Sequence, residues 1–178
     1  MNIQDLGSIG ELIAAVATVL TLIYLATQIR QNTNQLKGDA IISINNIEHD
    51  LDKELRADRP LFSQVIRATT NWNSLNPKEQ AAVHLLFHSH TRWCETCWTL
   101  WTRGALDKET YDTREKFIVA FLGHPEGGLV WWNNWKAIYD PRFVDRINKK
   151  LVDSTNERSL VEFAPFYEQK YWEGDDAT

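Results

Sequence analysis

The chain has 178 residues, with 19 Lys or Arg against 24 Asp or Glu, a formal net charge of −5 and interspersed signs. No basic stripe is present, so nucleic acid is not an expected partner. Gly is sparse, no nucleotide-binding loop occurs, and Gly-x-Ser-x-Gly, His-Glu-x-x-His and EF-hand patterns are all absent.

Residues 9–29 dominate the N-terminal part. Residues 12–29 form a run of 18 without a charge, bounded by Glu11 and Arg30. At about 1.5 Å rise per residue it covers roughly 27 Å, near the ~30 Å hydrocarbon core of a bilayer. Ala and Thr dilute its hydrophobicity, and a buried core helix is the competing reading. A cleaved signal peptide fits less well, because residues 1–11 carry Asp5 and Glu11 but no Lys or Arg. Arg30 and Lys37 follow the run, so the positive-inside tendency places the N-terminus outside and the bulk of the chain in the cytoplasm. Both cysteines would then meet a reducing compartment, where no structural disulfide is expected.

Small residues recur along this helix at 3-4-3-4 spacing: Gly7, Gly10, Ala14, Ala17 and Thr21. Such a stripe lets helix backbones approach closely in lipid, which points to self-association or docking on another membrane protein. Ala and Gly are also common in membrane helices without any such role.

Beyond Arg30 the helix is expected to continue out of the membrane: apolar residues from Leu36 to Leu55 recur at three- and four-residue steps, predicting a juxtamembrane helix over 30–57 that Gly38 could bend. Asp58-Arg59-Pro60 ends it and starts a short helix. Residues 71–76 read as a loop. Asn76, Pro77 and Glu79 then form a helix-start signature, with Gly104 as the stop. Val83, Phe87, His90, Cys94, Cys97 and Trp101 make one seam between them, which marks the central core helix. A helix over 108–122 follows, then a Gly- and Pro-rich break, an aromatic helix over 129–139, and another opened by Asp140-Pro141. Residues 154–178 read as a partly packed tail, frayed from Glu173. No alternating strand pattern appears. The expected fold is therefore all-α, an N-terminal transmembrane helix followed by a cytoplasmic helical bundle. Its divisions are 1–8 outside the cytoplasm, 9–29 the span, 30–57 the juxtamembrane helix, 58–153 the helical domain and 154–178 the tail.

Candidate chemistry is thin. Cys94-Glu-Thr-Cys97 supplies two thiols, whereas a structural zinc site needs four ligands. His90 lies one turn before Cys94, so the two could share a metal, but His90 and Cys97 are two turns apart, about 10 Å along the axis. Core packing accounts for both cysteines. His84 and His88 are spaced i, i+4 without a third ligand nearby, and His124 beside Pro125 reads as a loop residue. Arg92, Glu95 and Arg103 could form a buried polar network, with a structural ion pair the simpler account. Trp131, Trp132 and Trp135 suit a bilayer interface, a partner or the core.

With these residues in view, the chain resembles a group of bacterial proteins of unassigned activity, common in marine proteobacteria. They begin with a span like Ile9-Gly10-Glu11 through Gln28-Ile29-Arg30-Gln31-Asn32-Thr33. They continue with a helical region like residues 93–106, an aromatic pair like Trp131-Trp132 and a step like Pro141-Arg142-Phe143. Cys94 and Cys97 stand outside that pattern. The resemblance implies topology, with the chain in a bacterial inner membrane, and no chemistry. The expected function is a non-enzymatic interaction or assembly subunit with no cofactor, contacting the lipid bilayer and either copies of itself or another membrane protein. The alternative is a metal-binding or redox-sensing helical protein, or an enzyme, using His90, Cys94 and Cys97.

Overall fold

A computed structural model describes residues 3–153, with side chains from Gly10 onward except that of Glu54. Helix covers 89% of these residues, and there is no strand among them. The expectations for the tail over 154–178 lie outside the described residues. The chain divides into two compact units, one up to Ile41 and one from Ile42 onward.

Helix α1 runs Ile3–Ala57 as one assigned helix, through the position where Gly38 suggested a bend. A Cβ at Gly38 would meet nothing within 4 Å, so the glycine answers to no close packing there. The first unit is the part of α1 up to Ile41. It also contains one window long and apolar enough to cross a membrane by length and composition, and none of that window is buried.

The second unit starts inside α1 rather than at its end. Ile44 is buried, and its carbonyl accepts the Trp93 indole hydrogen at 3.2 Å. The unit continues with α2 (Arg59–Thr70), α3 (Pro77–Thr102), α4 (Lys108–Leu122), α5 (Gly128–Trp135) and α6 (Pro141–Asp153). Asp58 turns to extended geometry and caps α2 by accepting from Leu61 N at 2.9 Å. The loop expected at 71–76 contains a 3-10 turn, Trp72–Ser74. Helix α3 opens with a reciprocal capping box: Asn76 accepts from the amides of Lys78 and Glu79, and Glu79 accepts from Asn76 N at 2.8 Å. It ends where Gly104 takes a φ of +71°, a conformation that favours glycine. The aromatic helix expected over 129–139 is divided into α5 and a 3-10 turn, Lys136–Ile138.

Helix α3 is flanked by α2 and α4, and α4 also meets α5 and α6. Val83, Phe87, Cys94 and Cys97 of the α3 seam are fully buried, and Trp101 is half-buried. Close approach on the far side rests on two glycines. A Cβ on Gly127 would lie 2.0 Å from the Thr69 carbonyl oxygen, and one on Gly128 would lie 2.4 Å from that of Phe121. Their bare backbone is what lets α5 start against the end of α2 and against α4.

Candidate functional site

Among the described residues, the apolar segment of the first unit has no buried side chain. Leu12, Ile13, Val16, Val19, Leu20, Leu22, Ile23, Leu25 and Ile29 are exposed to between 48% and 66%. At about 100° per residue these nine aliphatic side chains cover roughly 240° of the helix circumference. Gly10, Ala14, Ala17 and Thr21 fill much of the remaining arc and are exposed as well; Gly7 lies within α1. A water-facing helix would present a polar face there, and this one does not. Its threonine hydroxyls are internally satisfied: Thr18, Thr21 and Thr27 donate to the carbonyls of Ala14, Ala17 and Ile23 at 2.8, 2.8 and 2.9 Å. That pattern removes the main polar cost of placing such residues in hydrocarbon.

In the second unit, His90, Cys94 and Cys97 all lie on the core side of α3. The carbonyl of Leu86 accepts from His90 Nδ1 at 3.0 Å, and the His90 ring lies against Phe121 at 5.7 Å. The Cys94 thiol points to the Arg114 carbonyl at 3.8 Å. Burial pushes the Cys94 thiol well up and the Cys97 thiol up to about 12, the opposite of the depressed values that reactive or metal-ligating thiols require. Among the described residues no group of three or more His, Cys, Asp or Glu side chains converges as a metal-ligand set.

His84 and His88 are half-buried, with rings 6.1 Å apart. Trp131 Nε1 donates to His84 Nδ1 at 3.0 Å, so the neutral ring carries its proton on Nε2. Neither His84 nitrogen then offers a lone pair to a metal. His88 Nδ1 shares a 2.9 Å hydrogen bond with the Tyr139 hydroxyl. Trp131 and Trp132 are fully buried, while Trp135 is 41% exposed and stands 4.2 Å from the His84 ring. Trp135 alone of the three presents substantial surface. His124 sits in the loop and accepts from Glu126 N at 3.3 Å.

Two buried carboxylates organise the polar interior. Glu95 accepts from Arg92 at 2.5 Å and from Asp140 N at 2.6 Å, fixing the start of α6; Arg103 is exposed at the end of α3. Glu115 accepts from Tyr111 Oη at 2.7 Å and forms a forked pair with Arg146, whose guanidinium also lies 4.8 Å from the Trp101 ring centre. Burial, followed by the bond to Glu115, raises the Tyr111 pKa, so its hydroxyl stays a donor. Sequence reading did not single out Tyr111, Glu115 or Arg146. Their one signal is an acid at position 115 in register with the apolar Ile118 and Leu122, and nothing local points to Arg146.

A cleft of about 270 Å³ opens among the α1 residues of this unit, α3 and α4, lined by Glu48, Leu51, Asp52, Trp93, Arg114 and Phe117 among others. Its charges are turned on the protein: Arg114 pairs with Glu48 at 2.7 Å and lies 5.3 Å from the Trp93 ring centre, and Asp52 pairs with Arg56 at 3.4 Å. The polar side chains named above thus serve packing and helix ends, and among the described residues the apolar segment is the one that packing leaves unaccounted for. No protein-family model matches the chain, and neither the curated proteins nor the solved structures contain a match.

Proposed function

We propose that the chain is a non-enzymatic single-span membrane protein. Residues 9–29 cross a bacterial inner membrane with the N-terminus outside. The helices beyond form a cytoplasmic bundle that acts as an interaction or assembly subunit, with copies of itself or with a larger membrane complex. The observation that carries this reading is the charge-free helical segment with aliphatic side chains exposed around most of its circumference. Arg30 and Lys37 after it, and none before, support the orientation.

The energetics are adequate and not generous. Each mid-span aliphatic contributes about −0.3 to −0.6 kcal/mol to insertion, so nine supply roughly −3 to −5 kcal/mol. Association would use the stripe of Gly7, Gly10, Ala14, Ala17 and Thr21, whose small side chains permit backbone contact. Native mass measurement in mild detergent tests the assembly role. The expected result is an oligomer or a co-extracted membrane protein, lost in Ala14→Ile/Ala17→Ile. A monodisperse monomer that purifies alone would overturn it.

A further inference from the structure

We propose that the contact between α3 and α5 is a proton-sensitive latch: neutral His84 accepts the indole hydrogen of Trp131 and holds α5 against α3, and a proton on His84 releases it. An indole nitrogen can only donate, so the 3.0 Å bond from Trp131 Nε1 requires a lone pair on His84 Nδ1. Protonation places an N–H on that nitrogen and sets donor against donor. Trp131 is fully buried and has no water to turn to, so its indole hydrogen is stranded unless α5 moves.

The surroundings decide the direction. From α5, His84 meets Trp131 and Trp135, neither of which titrates. On α3 the stacked ring of His88 opposes a charge on His84, and burial opposes it more. His88 in turn faces Tyr139; burial disfavours its charge most, Arg92 disfavours it further and Glu95 favours it. Trp135, at 4.2 Å, offers a π face that would attract an imidazolium. It is half exposed and can follow the ring, whereas Trp131 is locked in the core. The other indole bond of α5, Trp132 Nε1 to Asn148 Oδ1 at 2.8 Å, does not involve a titrating group. The rest of α5 is seated on α2 and α4, where Gly127 and Gly128 give the close approach, so the release concerns the α3 side alone.

Because the docked His84 holds its proton less tightly than a free histidine, the open form binds more protons in the window below about pH 6.5. Docking is complete above that value and weakens as pH falls towards the docked midpoint.

The test is amide hydrogen exchange of α5 in the full chain in detergent between pH 8 and 5, corrected for intrinsic rates, with NMR of the imidazoles and indoles. Opening of α5 should rise by up to about tenfold per pH unit across the window, and the Trp131 indole signal should shift with the His84 midpoint. His84→Gln keeps an acceptor oxygen and cannot titrate, so its α5 exchange should be flat with pH, while His88→Gln should keep a pH response whose midpoint moves up, because the His88 ring no longer opposes a charge on His84. The same pH response in His84→Gln would overturn the latch. So would a His84 midpoint at or above 6.5 with an unmoved Trp131 signal, and that wild-type titration decides the matter if the variants fail to fold.

Discussion

Replacing Glu115 with Leu isolates the buried ion pair as a determinant of the second unit. The Glu115 side chain is 6% exposed and Arg146 is 29% exposed. Removing the carboxylate takes the counter-charge from Arg146 and the acceptor from the Tyr111 hydroxyl, leaving only the donation from Arg146 Nε to Tyr111 Oη at 3.1 Å. Breaking one side of a buried pair costs about 3–5 kcal/mol. Water reaches part of the Arg146 guanidinium, which places the cost near the low end, about 3 kcal/mol. For a domain of roughly 100 residues, 1 kcal/mol corresponds to about 4 °C, so Tm should fall by about 12 °C. Arg146→Leu should cost a similar amount, and it also removes the cation over Trp101. The double variant Glu115→Leu/Arg146→Leu leaves no orphaned charge and should lose at least about 2 kcal/mol less than the sum of the single changes. Urea melts of the full chain in detergent, followed by near-ultraviolet circular dichroism, measure all four corners of the cycle. Single effects under about 1 kcal/mol that simply add would refute this account of the core.

The thiols of Cys94 and Cys97, raised by burial and fully covered, should resist a maleimide at pH 8 in the folded chain and react at once in denaturant; rapid native labelling would contradict their core placement. Gly127→Ala forces a Cβ into the Thr69 backbone and should destabilise the second unit by about 3 kcal/mol, the upper end for overpacking, because the obstacle is main chain. A denaturation midpoint equal to wild type would show that α2 and α5 can part freely. Asn76→Ala removes half of the α3 capping box and should cost about 1 kcal/mol in the same assay, with no change in α3 length by NMR.

The helical class and the limits of α3 and α4 were legible because their signals are local. Asn76-Pro77 with Glu79, Gly104, and the apolar positions of 108–122 each act within a turn or two of where they stand. The continuation of the helix past Arg30 was legible as well, and the bend suggested at Gly38 was the point that the fold does not show. Gly38, half-buried with open space where a Cβ would stand, costs a helix only about 1 kcal/mol relative to Ala, too little to break one supported on both sides. The start of the compact unit at Ile42, inside α1, depends on which turn of that helix meets Trp93, and periodicity does not register this. Trp131 and Trp132 illustrate the same limit. An indole suits a core, a partner or a bilayer interface equally well in sequence, and here the glycines at 127 and 128 admit the close approach beside which both rings are buried. Glu115 and Arg146 lie on different helices, so their pairing has no local sequence signature. The candidate span is the reverse case. Its apolar character is plain in sequence, while its exposure became visible only with the fold.

Whether residues 12–29 lie in lipid is the point on which the functional account turns, and alkaline carbonate extraction of membranes from cells expressing the full chain tests it most directly. The account predicts that the wild-type chain stays in the membrane pellet. An Arg at mid-span costs about 2.5–3.5 kcal/mol, so Val16→Arg/Leu20→Arg outweighs the roughly −3 to −5 kcal/mol from the nine aliphatics and should move the chain to the supernatant. A wild-type chain released into the supernatant and monodisperse without detergent would contradict the account.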